Sequence, residues 1–297
     1  MSPRLNHGSG LIALVLALLP GRALAFDIDL WRPGASSANT GDAVTAPSAW
    51  SLGTEQTSFR LAYGWGTSVL QATSEGQGAS LPQDVFDGVG TVALVGERGL
   101  APRWSVGGRV RTIAHAAATG LPFGVLENGS MNFTDLAVWS HHSRAIGEHF
   151  SVAVAPELRL DRRSGEDEPP SAPSLSMLSG TGTGAALPVS VGWMPGGAGG
   201  PWRVHAALSP GFAVADDGAL PTPARLSTDA WLAGSYALSE RIALLGEGFV
   251  QTSAHGWEAE PFTTWAPILR AGARLTPTPS WSVLGVLSSS GSAAGRR

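Results

Sequence analysis

Trp104-Ser105-Val106-Gly107-Gly108-Arg109-Val110-Arg111 is the stretch that decides the fold. Trp104, Val106, Gly108 and Val110 fall on one parity, and Ser105, Gly107, Arg109 and Arg111 on the other. Successive side chains of a strand point to opposite faces, so one face of this segment suits lipid and the other suits water. The pattern recurs in both directions along the chain. Phe59, Leu61, Tyr63 and Trp65 alternate with Arg60, Ala62 and Gly64. Phe150, Val152, Val154, Pro156 and Leu158 alternate with Ser151, Ala153, Ala155, Glu157 and Arg159. Leu187 to Trp193, Trp202 to Leu208 and Trp281 to Leu287 repeat it, and less regular candidates lie near 85–95, 132–140, 227–238, 242–250 and 263–275. Each segment is about ten residues long, the length of a tilted strand that crosses a bilayer.

Alternation alone also fits a soluble sandwich, so the connections carry more weight. Residues near 66–84, 114–131, 161–183, 213–226 and 252–262 are long and polar, whereas 97–103, 141–149, 195–201, 239–241 and 276–280 are short. Outer-membrane barrels have short periplasmic turns and longer external loops, and a Greek-key sandwich has no reason to sort its loops by end. Trp104, Phe150, Trp202 and Trp281 each begin a segment just after a short turn, and Trp193 and Tyr236 lie near the end of one. These six are the expected aromatic girdle, because amphipathic rings favour the membrane interface.

The N-terminus has Arg4, an apolar run from Leu11 to Leu19, and then Ala23-Leu24-Ala25. That is the order of a secretory signal peptide, and its apolar run falls short of the roughly 20 residues a membrane helix needs. Cleavage near Ala25 gives a mature start at Phe26. The chain contains 39 Gly, 21 Pro and 11 Trp, only 14% charged residues and no cysteine. Such a composition disfavours long helices and disulfide staples. Every basic residue is arginine, the net charge is -4, and no basic cluster suggests a nucleic-acid partner.

The division expected from this reading is a signal peptide over 1–25, a periplasmic or plug segment over 26–55 that could supply one strand, a barrel over 56–288 and a tail over 289–297. The fold class is all-β, a transmembrane antiparallel up-and-down β-barrel of about 12 strands, with 10 strands or an exported β-sandwich as alternatives. About eleven strands are visible, whereas bacterial barrels of one chain have an even number. The closing strand comes from residues 26–55, or from a segment the alternation does not reveal, or from a chain that is cut short after Arg297.

Phe26-Asp27-Ile28-Asp29-Leu30-Trp31-Arg32-Pro33, Ser58 to Trp65 and the meander that includes 104–111 and 150–159 resemble the barrel half of outer-membrane proteins of the OmpA type from myxobacteria and their relatives. The resemblance implies an outer-membrane barrel. It departs from that group in stopping at Arg297, where such proteins commonly continue into a peptidoglycan-binding domain.

With the apolar parity toward lipid, the lumen receives Arg60, Arg109, Arg111, Arg159, Arg203, Arg270 and Arg274, opposed by Asp135, Glu157, Asp161 and Glu247. That balance predicts a narrow or plugged lumen with weak anion preference. No GxSxG, HExxH or CxxC motif is present, so the expectation is a passive pore or scaffold and not an enzyme, with no cofactor and no metal. Outer-membrane lipid and small solutes are its expected partners, the expected state is monomeric, and the location is the outer membrane of a Gram-negative bacterium. An exported binding sandwich and an outer-membrane hydrolase remain as alternatives. His141, His142 and His149 surround one predicted turn and are expected to be solvated there beside Arg144 and Glu148. The acidic residues near 161–168 are read as solvated loop charges.

Overall fold

The computed structural model describes residues 34, 43–66, 71–73, 82–84, 86–117, 132–164, 182–197, 199–215, 224–255, 262–278, 280–290 and 293–295. The signal-peptide segment over 1–25 and most of the long connections lie outside the described residues. So does the segment that opens the family resemblance, Phe26 to Pro33.

Every regular element among the described residues is a strand. They are β1 (Thr57–Gly66), β2 (Gln71–Thr73), β3 (Pro82–Asp84), β4 (Phe86–Ala101), β5 (Trp104–Ala117), β6 (Asn132–Ile146), β7 (Phe150–Val154), β8 (Glu157–Ser164), β9 (Gly182–Ala186) and β10 (Val189–Trp193). The series continues with β11 (Trp202–Ala215), β12 (Ala224–Ala237), β13 (Ile242–His255), β14 (Phe262–Thr278), β15 (Trp281–Ser290) and β16 (Ala293–Gly295). Fourteen of them form one antiparallel sheet, and β2 and β3 pair separately.

Three pairs of short strands are single tracks with a break. Pro156 interrupts β7 and β8, and Pro188 interrupts β9 and β10, because proline has no N–H to give to the ladder. Their carbonyls still accept, from Ser140 N at 3.2 Å and Ala155 N at 2.9 Å. β15 and β16 both pair with β14. The sheet is therefore a meander of eleven tracks in chain order, the number visible in the sequence.

Each step of the meander reverses direction, so successive connections fall at alternate ends. Those spanning 102–103, 147–149, 194–201, 238–241 and 279–280 share one end, and those spanning 67–85, 118–131, 165–181, 216–223 and 256–261 share the other. The expected segregation of short and long connections is a property of the topology.

Three boundaries differ from expectation. Seven of the described strands are longer than ten residues, reaching 16 in β4 and 17 in β14. Residues 97–101 and 141–146 continue strands and are not turns. There both parities are polar, as in His141-His142-Ser143-Arg144, so contrast between the faces fades while the backbone stays extended. At the C-terminus β15 runs to Ser290 and β16 follows it, so strand structure extends into the segment expected as a tail. No strand occurs at the described residues 34 and 43–56, and the rest of 26–55, one expected source of a closing strand, lies outside the described residues.

The two faces of the sheet differ in burial, with the charged parity inside and the apolar parity outside. Phe59 and Leu61 are each 75% exposed, while Arg109 is 2% and Glu247 3% exposed. Leu94, Val138, Leu158, Val191, Leu208, Leu232 and Leu244 belong to the same exposed apolar face. An exported sandwich would bury this parity between two sheets; here one large sheet leaves it uncovered.

Candidate functional site

The polar face carries two charged clusters and a strap of backbone that lies across it. The first cluster grows from the register of β5, β6 and β8. Arg111 stands directly across from Asp135, and Ala137 lies between Arg109 and Arg159. The small side chain of Ala137 leaves room for Arg109 to reach across β6 to Glu157. The result is a ladder of ion pairs: Arg111 Nη2 to Asp135 at 2.9 Å, Arg109 Nη2 to Asp135 at 3.2 Å and to Glu157 at 3.1 Å, and Arg159 Nε to Glu157 at 2.7 Å. Arg109, Arg111, Asp135 and Glu157 are buried, and burial of charge is tolerated only with such partners.

The second cluster is built on Glu247 of β13 and Arg270 of β14, direct cross-strand neighbours joined by an ion pair. Glu247 Oε2 accepts hydrogen bonds from the successive backbone N–H groups of Val44, Thr45 and Ala46, at 2.9, 2.8 and 3.0 Å. Three consecutive N–H groups converging on one oxygen make a backbone nest for an anion, and a wall carboxylate fills it. Arg270 Nη1 also donates to Thr45 Oγ1 at 2.8 Å, and Arg60 Nη1 of β1 donates to Val44 O at 3.0 Å. Val44 is thus held by Arg60 of β1 and by Glu247 of β13, so strands from opposite ends of the strand order meet at one end of the strap. Ala43 and Ala46 pack beside Trp231, Phe249 and Ile268.

Farther along, the strap lies on a row of hydroxyls. Ser190 Oγ donates to Ser48 O at 2.8 Å, Ser151 Oγ to Ala49 O at 2.7 Å, and Ser143 Oγ to Ser51 Oγ at 2.7 Å. His141 Nε2 lies 3.2 Å from Ser48 O, and since a carbonyl only accepts, that nitrogen carries the proton. On its other side His141 meets Ser105 and Glu97; Ser105 Oγ donates to Glu97, which Trp139 Nε1 also reaches at 3.3 Å. Trp50 stands edge-on to His205 at 5.9 Å and occupies the space over Gly192, where a Cβ would lie 2.6 Å from its ring. Gly99 allows a similar approach, since a Cβ there would lie 2.0 Å from Gly53 O. That contact is where the strap turns into β1.

Of the residues expected on the polar parity, Arg60, Arg109, Arg111, Asp135, Glu157, Arg159, Glu247 and Arg270 are held in these clusters. Arg203 and Arg274 are half-buried on the same face, on the parity of His205 and Arg270 in their strands. Asp161 pairs through β8 with Asp135 and Gly182, and its side chain lies outside the described residues. Glu97, Asp229, His141 and His205 are buried there too. Among the described side chains the seven arginines therefore face Glu97, Asp135, Glu157, Asp229 and Glu247.

The three histidines do not converge. His141 enters the polar face and is 0% exposed, which corrects the expectation that it is solvated in a turn. His142 leaves on the apolar face, and His149 sits in the turn with Nδ1 3.0 Å from Met194 O. On the apolar face Trp104 stacks on His142 at 5.6 Å and donates from Nε1 to Ser140 Oγ at 2.7 Å, and Ser140 Oγ lies 3.0 Å from His142 Nε2. Phe150 is across from Trp193, and Trp202 packs on Tyr236 at 4.5 Å. Together with Trp281, all six aromatic residues cluster at the end of the sheet that carries the short turns.

Fold and site define an all-β protein whose large antiparallel sheet buries its charged residues and exposes its apolar ones. No protein-family model, curated protein or solved structure matches the chain.

Proposed function

We propose that this chain is a β-barrel of a Gram-negative outer membrane, reached after cleavage near Ala25, where it acts as a passive pore or structural scaffold. The observation that carries the reading is the reversal of burial. Soluble monomers rarely leave apolar patches beyond a few hundred Å² uncovered, and an apolar face on nearly every strand is matched by hydrocarbon. The loop asymmetry and the aromatic cluster beside the short turns support the same placement. Closure of the sheet is part of the proposal. β1 and β15 both start at the short-turn end, so direct closure of eleven tracks is a parallel pairing, and antiparallel closure takes a twelfth strand. The meeting of Arg60 with the β13–β14 cluster supports a sheet curled around the strap. The likeness to OmpA-type barrels, carried by short segments, belongs to the same proposal, as do a monomeric state and outer-membrane lipid as partner.

The barrel reading expects the protein to require detergent for solubility and the unboiled form to migrate differently from the boiled form on a gel. A monodisperse protein in plain buffer with no mobility shift would refute it. Leu232→Arg places a charge on the apolar face midway along β12 and is expected to cost about 2 to 4 kcal/mol of folding in lipid, read from denaturant titrations of the folded band.

One observation favours a second reading, a hydrolase acting on lipid esters. Ser140 and His142 share the apolar face with nucleophile and base in hydrogen-bonding reach. Hydrolysis of a short-chain ester in detergent that disappears in Ser140→Ala would favour it; equal rates in both forms would leave the pair as part of the aromatic girdle.

A further inference from the structure

We propose that residues 43–51 are a hinged plug, latched by Glu247, over a passage for small anions. This rests on the barrel reading and extends it from a filled wall to a gated one.

The two ends of the strap are held differently. At its C-terminal end it joins β1 through residues 53–56, where Glu55 N donates to Gly99 O and Gly99 N to Gln56 O, each at 2.9 Å. Trp50 is seated against Gly192 and His205 on the same side. That end is covalently continuous with the wall and is the hinge. The other end is held across the polar face by the nest on Glu247, with Arg270 and Arg60 beside it.

The latch can open without orphaning buried charge. Glu247 and Arg270 are cross-strand partners and keep their ion pair when the strap leaves, while the N–H groups of 44–46 pass to water. The wall beneath the strap is also suited to water: Ser143, Ser151, Ser190, His141, His205 and Arg60 are side chains that hydrate readily. A permanent core would be more stable with apolar groups in those places. Ala43, Ala46, Ser48 and Ala49 are small, but the strap also buries Val44, Thr45 and Pro47, and the apolar area of Val44 and Pro47 opposes lifting and keeps the closed state the resting one. With the strap lifted, seven arginines face five described carboxylates, which favours anions.

Planar-bilayer recordings in potassium chloride test this with three proteins: the full chain, Glu247→Gln, and a chain whose residues 43–50 are replaced by glycine and serine of equal number. Losing a charge-assisted latch is expected to raise the open fraction roughly tenfold in both variants, with anion selectivity. An Ala46→Cys variant adds a second readout, since the chain has no cysteine of its own. A charged thiol reagent is expected to label it slowly alone and roughly tenfold faster in combination with Glu247→Gln. If Glu247→Gln gives no folded band, the replaced strap carries the recording. Folded, heat-modifiable variants with conductance and labelling unchanged would overturn the plug while leaving the barrel intact. Cation selectivity would overturn the anion passage. A full chain that neither inserts nor shows a heat-modifiable band would overturn the barrel reading, and the plug with it.

Discussion

The ladder on β5, β6 and β8 and the dock on β13 and β14 both bury arginine against carboxylate, yet they do different work. In the ladder every charge belongs to the wall, and each carboxylate serves two arginines: Asp135 takes Arg109 and Arg111, and Glu157 takes Arg109 and Arg159. In the dock one carboxylate serves a single arginine of the sheet, and three backbone N–H groups and the Thr45 hydroxyl of a segment about two hundred residues away, with separations of 201 to 203. The ladder ties neighbouring strands to one another. The dock ties the wall to something that is not a strand. Breaking the first should damage the sheet, and breaking the second should release the strap.

The largest effect is therefore expected at Asp135. Asp135→Ala removes the carboxylate across from Arg111 and one of the two that hold Arg109, leaving buried cations short of a counter-charge. Removing one member of a buried pair costs about 3 to 5 kcal/mol, and the loss should appear as a lowered denaturant midpoint of the folded band. The sharper version is a double variant, Arg111→Met with Asp135→Leu, which removes charge from both sides. It is expected to recover most of that stability, because the penalty lies in the unpaired charge and not in the missing contact. Failure to recover would mean that the ladder specifies strand register, and that its value is not only mutual compensation.

The contrast also explains what the sequence discloses. Arg109, Arg111, Asp135 and Glu157 are legible because each has an apolar neighbour on the opposite parity, so the period of two assigns its face directly. Glu97 and His141 are equally buried but stand near the strand ends, where His142 and Arg144 on the other parity are polar as well, and alternation loses its contrast. Ser105 and His205 lie on parities that the alternation already reads as polar, and both are buried there. The dock is another matter. Nothing periodic marks Val44-Thr45-Ala46 as partners of Glu247, since the nest is made by backbone N–H groups that many sequences can provide, and only the Thr45 hydroxyl, which also donates to Glu247, is specific to this one. The aromatic residues were visible from their position beside turns, a local property; the Trp50 seat required Gly192, a pairing that only the folded sheet brings together.

Glu247→Gln also takes the counter-charge from buried Arg270, but it ranks below Asp135→Ala because the amide oxygen can still accept from the guanidinium, whereas alanine leaves no acceptor. The amide still offers one acceptor oxygen, but its NH2 group faces donors and cannot serve the nest. Hydrogen bonds to charged groups contribute about 1.5 to 3 kcal/mol, and here the loss should fall on strap attachment more than on strand pairing. The comparison is sharpened by measuring both in each variant. Asp135→Ala should lower the unfolding midpoint in step with protease access to residues 43–51, whereas Glu247→Gln should open the strap to protease at denaturant concentrations where the folded band persists. Loss of both together in Glu247→Gln would make the dock another wall tie.

The smallest effects are expected on the hydroxyl row, and their order follows from counting donors at each carbonyl. Ser48 O accepts from both Ser190 Oγ and His141 Nε2, so Ser190→Ala leaves one donor in place. Ser151 Oγ is the side-chain donor to Ala49 O, and Ser151→Ala takes it away. A neutral hydrogen bond contributes about 0.5 to 1.5 kcal/mol, with Ser190→Ala expected at the low end of that range and Ser151→Ala at the high end, measured as shifts in protease access to the strap. Ser48 and Ala49 lie on the hinge side, so neither change should raise ion conductance as Glu247→Gln does. A Ser151→Ala protein that conducts like Glu247→Gln would place the latch on the hydroxyl row, and the two ends of the strap would have to be exchanged in the account of how it opens.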